Sequence, residues 1–187
     1  MKIAKKYERY MSKPVDCPIY DKKNPDYRCS VDYDKTNYRK NKALSEASKE
    51  KISFADIYRL VNIFLIDNGI ESKGIIIKGV DVVLSINYEI IKRQYRLNNQ
   101  SDIVWMKFTE DGYLGVVASS NDINFNDSNN SFKLINHVGK KWDKNLVLIV
   151  PLPEIAKPED RCLIERMIGN YLSDNNVPII DYYSHNL

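Results

Sequence analysis

The stretch that most constrains the fold of this chain is an unbroken apolar run at residues 145–150, where Asn145 is followed by LVLIV. A strand with one face in water alternates apolar and polar side chains, whereas this run would bury both of its faces. Pro151 and Pro153 end the run, because proline cannot donate a hydrogen bond to a neighbouring strand. The pattern predicts a strand in the interior of a sheet.

A helix and a second strand are predicted directly after it. Pro158 suits the first turn of a helix, and Glu159 and Asp160 lie at the positive end of the helix dipole. Apolar residues then recur at helical spacing until the sequence DNN at 174–176 ends the helix. Residues 178–183 are the next predicted strand, so the region 144–185 resembles a parallel strand-helix-strand crossover.

Similar signals predict the other elements. Ser53 is a good N-cap for a helix that ends at Gly69 and should be largely buried, because it is apolar on most of its surface. The two helices finish alike, in LIDNGI and LSDNNV. The clearest hairpin signal joins two alternating segments through Asp111-Gly112. The predicted strands before the apolar run are 73–78, 80–91, 102–109, 113–119 and 131–138, and a short helix is predicted at 41–51.

These elements predict an α+β fold. We expect a mixed, mainly antiparallel sheet of about five to six strands with two main helices and a C-terminal strand-helix-strand unit. The predicted domains are residues 1–52, a basic, Tyr-rich N-terminal arm or extension, and residues 53–187, a single α+β domain.

Charge supports that division. The arm holds 14 Lys and Arg against 8 acids and the remainder holds 14 against 17, although the net charge of the whole chain is only +3. The arm has six tyrosines, whereas disordered tails are usually poor in aromatic residues. Its tyrosines either pack on the chain's own core or form a partner surface, and the sequence leaves both open.

Tyrosine and arginine dominate the energetics of many interfaces, so they are the candidate binding residues. A second basic, tyrosine-bearing stretch follows the predicted strand at 80–91. The candidates are Tyr7, Arg9, Tyr10, Tyr20, Tyr27, Arg28, Tyr33, Tyr38 and Arg39 in the arm, with Lys92, Arg93, Tyr95 and Arg96 beyond it.

Sequence motifs for nucleotide binding, zinc binding or a serine nucleophile are absent, and no cofactor or metal is predicted. The three cysteines have no framework spacing and are expected to be thiols. A catalytic Cys162-His137-Asp143 arrangement is conceivable but disfavoured. Cys162 lies on the apolar side of its helix, and the nearby Glu159 and Asp160 would raise its pKa.

The order helix, several strands, helix, strand resembles the core of the restriction-endonuclease superfamily. This resemblance implies a magnesium site built from an Asp and a Glu-x-Lys motif. The run 145–150, which should carry that motif, contains neither an acid nor a lysine. The remaining candidates, Asp81, Glu89 and Lys92, come too early, and Glu89 and Lys92 are spaced Glu-x-x-Lys, which would turn one side chain to the other face of a strand.

The sequence favours a non-catalytic, intracellular binding module: an inhibitor or an accessory or assembly subunit, of a kind found in phages and mobile elements. It would recognise a protein partner through its basic aromatic arm. The first alternative is a nucleic-acid-binding protein, although the pI of about 8.6 is below the usual range for that class. The second is a metal-dependent nuclease-like enzyme with a degenerate motif. A cytoplasmic location is expected, because neither a secretory signal nor an apolar membrane span is present in the sequence.

Overall fold

The computed structural model describes residues 3–11, 53–78, 93, 96, 102–120, 141–152, 158–177 and 179–182, and the fold is α+β as predicted. The helices are a 3₁₀ helix (Lys5–Met11), α1 (Phe54–Asp67) and α2 (Pro158–Asp174). The strands are β1 (Ile75–Lys78), β2 (Ile103–Thr109), β3 (Leu114–Ser120), β4 (Trp142–Pro151) and β5 (Ile179–Tyr182), and they form one sheet in the order β1-β4-β2-β3-β5.

The first four strands of this order are antiparallel to their neighbours, and β5 pairs in parallel with β3. Since β3 and β4 both run antiparallel to β2, β4 and β5 run in the same direction. The β4-α2-β5 unit is therefore a parallel crossover, as predicted, but the β2-β3 hairpin lies between its two strands. The hairpin itself is confirmed, with Trp105 opposite Ala118.

The described sheet has fewer strands than the sequence suggests. The predicted strands at 80–91 and 131–138 and the predicted helix at 41–51 lie outside the described residues. The strand predicted at 73–78 begins only at Ile75, because the Gly74 N–H binds Asn62 Oδ1 on α1 at 3.0 Å instead of a neighbouring strand. The close approach of α1 on one side and β4 on the other explains the glycine, since a Cβ at position 74 would lie 3.2 Å from Tyr58 Cε2 of α1 and 3.1 Å from Leu148 Cδ1 of β4.

The interior of the sheet is buried on both faces, as the apolar run predicts. On one face, Val104, Met106, Leu148 and Val150 join a cluster with the apolar sides of α1 and α2. The alternate residues of the same strands lie on the other face. They are outside the cluster that includes the helices, and they are also buried. They are Ile103, Trp105, Lys107, Val116, Ala118, Val147 and Ile149.

Both α-helices end in the same way. The Ile70 N–H binds the Leu65 carbonyl and the Val177 N–H binds the Leu172 carbonyl, each at 3.0 Å. Gly69 and Asn176 occupy the same position in the two turns, and both have a φ of +61°, the left-handed conformation of a helix C-cap. The predicted similarity of the two helix ends is confirmed in the backbone.

The start of α1 agrees with the sequence prediction, whereas its exposure differs. Ser53 caps α1 by accepting a hydrogen bond from the Asp56 N–H at 3.2 Å, as predicted. The expectation that α1 is buried on most of its surface is wrong at two positions, since Ile63 is 36% exposed and Ile66 is 74% exposed. They lie three residues apart on the side of α1 away from the sheet. No helix in the described part of the chain has the length and hydropathy needed to cross a membrane.

Candidate docking site for the amino-terminal segment

Residues 3–11, here called the docked segment, bind across the carboxyl ends of α1 and α2. The 3₁₀ helix within this segment has three residues per turn, so side chains three positions apart point in the same direction. Tyr7 and Tyr10 therefore face the domain together, and Lys6 and Arg9 lie beside them. The spacing of the two basic-tyrosine pairs matches the period of this helix.

Both tyrosine rings are part of the core. Tyr7 is 3% exposed and Tyr10 is 6% exposed. The Tyr7 ring packs edge-on against Phe64 of α1 and Tyr171 of α2, with distances of 5.2 Å and 5.4 Å between ring centroids. The centroids of the Tyr10 and Tyr171 rings are 5.6 Å apart. Edge-to-face aromatic pairs at these distances add to the free energy gained from burial. Packing of this kind fixes the position of the docked segment between the helices.

Each tyrosine hydroxyl donates a hydrogen bond to the last residue of one helix. Tyr7 binds Asp67 Oδ2 at 2.6 Å, and Tyr10 binds Asp174 Oδ2 at 2.7 Å. Burial, followed by the bond to Asp67, raises the pKa of Tyr7 above its ordinary value. Burial, followed by the bond to Asp174, raises the pKa of Tyr10. Both hydroxyls therefore remain protonated donors at neutral pH.

A cation joins each of these contacts. Lys6 Nζ binds Asp67 at 2.6 Å and Arg9 Nη2 binds Asp174 at 2.5 Å, and each cation also lies over the ring of the following tyrosine. A carboxylate is unfavourable at the negative end of a helix dipole, so these partners offset that cost. The Lys6 and Arg9 side chains are 65% and 66% exposed, and exposed ion pairs contribute little. Tyrosine burial thus contributes most of the stabilisation, and the charges set its position.

Polar side chains of the domain bind both ends of the docked segment. The Ala4 N–H donates to Asn68 Oδ1 at 3.2 Å. Asn170 Nδ2 donates to the Tyr10 carbonyl at 2.9 Å, and Arg166 Nη1 donates to the Met11 carbonyl at the same distance. The first bond satisfies an N–H at the start of the docked segment, and the other two satisfy carbonyls that a helix end leaves without partners in its own backbone.

The structure brings together three of the predicted contact residues and leaves most of the others outside its described part. Tyr7, Arg9 and Tyr10 lie in this site, where the two tyrosines pack on the chain's own core. Arg93 and Arg96 are exposed, and Arg96 has a φ of +56°. The candidates outside the described residues are Tyr20, Tyr27, Arg28, Tyr33, Tyr38, Arg39, Lys92 and Tyr95, together with Asp81 and Glu89 of the nuclease alternative.

Sequence reasoning did not identify the acceptor side of the site. Local patterns indicate Asp67 and Asp174 only as helix-ending residues, although they occupy equivalent positions in LIDNGI and LSDNNV. The repeat of a basic residue followed by tyrosine, in Lys6-Tyr7 and Arg9-Tyr10, is an additional signal. Each of the two basic-tyrosine pairs binds one of the two similar helix ends: Lys6-Tyr7 binds Asp67, and Arg9-Tyr10 binds Asp174.

A second polar group lies between β3 and α2. Ser119 Oγ donates to Glu165 Oε2 at 2.6 Å, and Glu165 is 4% exposed. Burial, followed by the charge of Glu165, raises the pKa of the nearby Cys162 thiol, which is opposite to the lowered pKa of activated cysteine nucleophiles. Among the described residues, no group of three or more His, Cys, Asp or Glu side chains is arranged to hold a metal ion.

Acid is expected to weaken the binding of the docked segment to the domain. The hydrogen bonds from Lys6 and Tyr7 hold the pKa of Asp67 below its ordinary value of 3.8. A carboxylate whose pKa is depressed by folding stabilises the fold above its unfolded pKa, and this contribution is lost as the pH falls through the folded pKa. The free energy of urea unfolding should therefore fall more between pH 6 and pH 3 in the wild type than in Asp67→Asn. Glu71→Gln is the control, because Glu71 is exposed and lies outside this site; an equal fall in Asp67→Asn would contradict the assignment.

Comparison with known proteins gives no match to a family model, a curated protein or a solved structure.

Proposed function

We propose that this chain is a non-catalytic binding module that recognises a protein partner through residues 12–52, here called the connecting segment. The observation that supports the proposal is the docked segment, which attaches the start of the chain to the domain. The connecting segment then leaves from Met11, whose carbonyl is bound by Arg166, and returns at Ser53, the N-cap of α1. It is anchored to the same domain at both ends.

Anchoring at two points favours recognition, because it lowers the conformational entropy that a segment loses when it binds. Tyrosine and arginine side chains bury large contact areas when they find pockets on a partner. With Tyr7 and Tyr10 placed in the core, the contact residues we propose are those of the connecting segment. They are Tyr20, Tyr27, Arg28, Tyr33, Tyr38 and Arg39.

The distribution of charge favours a protein partner over nucleic acid. The arm has an excess of six positive charges, of which three belong to residues 1–11 and three to the connecting segment. Within residues 1–11, Lys6 and Arg9 are paired with carboxylates of the domain. The basic character available to a phosphate backbone is therefore smaller than the sequence suggests. Strong nucleic-acid binding needs several cations that can each replace a counterion.

The test is copurification of the full chain with its partner from cells of the source organism. A variant with all six proposed contact residues changed to alanine should lose the partner and unfold at the same urea concentration as the wild type. The matched control is Arg59→Ala with Lys73→Ala, which removes two exposed cations outside the connecting segment and should retain the partner. Retention of the same partner by the six-residue variant would overturn the proposal.

The alternative function, nucleic-acid binding, is tested by measuring how affinity depends on salt. Binding of a 30-nucleotide single strand and of a duplex of the same length is measured at 50 mM and 200 mM salt. A protein that neutralises six or more phosphates loses about a thousandfold or more in affinity over this range. We expect weak binding with a shallow salt dependence, and a steep one would favour the nucleic-acid function instead.

A further inference from the structure

The docking site is a groove that recognises one short sequence pattern. Phe64 and Tyr171 provide its aromatic floor, and Asp67 and Asp174 stand at its two sides. Each carboxylate accepts one tyrosine hydroxyl and one cation, so the groove selects two basic-tyrosine pairs three residues apart. The selection is by shape as well as charge, because both tyrosine rings are buried in the groove.

All the described contacts of this groove are non-covalent and come from the nine residues of the docked segment. The aromatic contacts, the two ion pairs and the bonds to Asn68, Asn170 and Arg166 need only those residues and the domain. The groove therefore binds a self-contained peptide ligand. Within the part of the chain that the structure describes, covalent continuity with the same domain adds proximity to these contacts.

The length of the connecting segment allows the docked segment to reach a second molecule. The connecting segment has 41 residues, and a chain of that length can span at most about 140 Å. The helix α1, which binds the docked segment at its carboxyl end and has Ser53 as its N-cap, is only about 21 Å long at 1.5 Å per residue. The covalent length therefore permits docking within one molecule and also on a neighbouring molecule.

We propose that the groove also accepts the docked segment of a second copy of this chain, so that two molecules exchange their amino-terminal segments. The second copy is the occupant that the site itself specifies, because it carries both basic-tyrosine pairs at the required spacing. The exchange is reciprocal and leaves no groove empty, as in a symmetric domain-swapped dimer. It also places two connecting segments between two domains.

Concentration decides which form is present. Two binding elements joined by a linker that spans their sites have an effective concentration of about 1 mM for each other within one molecule. The closed monomer therefore predominates at micromolar concentration, and the exchanged dimer forms when docking within one molecule is blocked. This condition can be imposed with complementary charge reversals.

The first variant, Asp67→Lys with Asp174→Lys, keeps the docked segment unchanged and reverses the charge of the groove. The second, Lys6→Glu with Arg9→Glu, keeps the groove unchanged and reverses the charge of the docked segment. Each alone should be monomeric by size-exclusion chromatography with light scattering at about 50 µM. Mixed in equal amounts, they should form a 1:1 dimer, because each segment then matches the groove of the other chain. The control carries all four substitutions in one chain, which restores the match within a molecule and should be monomeric.

A mixture that stays monomeric while both variants are folded by circular dichroism would overturn the proposal. If either variant fails to fold, a fluorescent peptide of residues 1–12 is titrated into full-length Tyr10→Ala, which removes one of the two buried rings and so weakens docking within the molecule. This variant should bind the peptide at least about tenfold more tightly than the wild type, whose own segment competes at high effective concentration. Equal affinities, or saturation by a peptide with both tyrosines changed to alanine, would overturn it.

Discussion

Replacing Tyr7 with alanine is expected to lower the free energy of unfolding by about 3–5 kcal/mol, the range found when a large aromatic side chain is removed from a core. Tyr7 is 3% exposed, and its ring lies within 6 Å of the rings of Tyr10, Phe64 and Tyr171. The substitution removes three aromatic contacts and leaves Asp67 without its buried donor. Urea unfolding followed by circular dichroism measures the change.

The matched variant Tyr7→Phe separates the ring from the hydroxyl. It keeps the aromatic packing and removes the hydrogen bond to Asp67, so its expected cost is only about 1–2 kcal/mol. A loss below 1 kcal/mol in Tyr7→Ala would mean that the docked segment is not part of the cooperative core. It would also show that the first residues can be removed without unfolding the domain.

Removal of Asp102 is expected to produce the second large effect, about 2–3 kcal/mol in Asp102→Ala. Asp102 precedes β2 and forms an ion pair with Arg161 in the first turns of α2, with side chains that are 20% and 17% exposed. Without Asp102, the Arg161 charge is left largely buried near the positive end of a helix dipole, and its buried Nε has no hydrogen-bond partner among the described residues. Breaking a fully buried pair costs about 3–5 kcal/mol, and the remaining exposure reduces that figure here.

A double-mutant cycle tests whether the pair is the cause. Because each single variant strands the other partner, Asp102→Ala combined with Arg161→Met should be less destabilising than the sum of the two single changes. The control is the Asp56 and Arg59 pair on α1, whose side chains are 49% and 66% exposed. Arg59→Ala should change stability by no more than about 0.5 kcal/mol. Additive effects at Asp102 and Arg161 would contradict the role of the ion pair.

Local sequence patterns are sufficient to predict most of the described helices and strands. The apolar run at 145–150 predicted a strand buried on both faces, and residues 147–150 of β4 are fully buried. Asp111-Gly112 predicted the hairpin, and Gly112 has the positive φ, +86°, that this turn needs. Ser53 and Gly69 predicted the two ends of α1. Each of these signals acts within a few residues of the chain, which is why the sequence reveals it.

Contacts between distant residues could not be predicted in the same way. The 3₁₀ helix has seven residues and little aliphatic pattern, and Tyr7 and Tyr10 bind carboxylates that are 60 and 164 residues away. The position of β5 beside β3, instead of beside β4, also depends on how the hairpin is inserted. For the docking site, the sequence supplied the tyrosines and the similar helix ends. Their pairing follows from the folded arrangement of α1 and α2.

The order of synthesis has a consequence for the groove described above. Residues 3–11 are synthesised about 160 residues before α2 is complete, which at 5–20 residues per second is a delay of about 8–33 s. Until α2 supplies Tyr171 and Asp174, the two tyrosines have only half of their binding site. The docked segment is made well before the helices that bind it, and it is therefore among the last to reach its native contacts. During that interval a nascent chain on a polysome carries an exposed aromatic segment that its own domain will later bury.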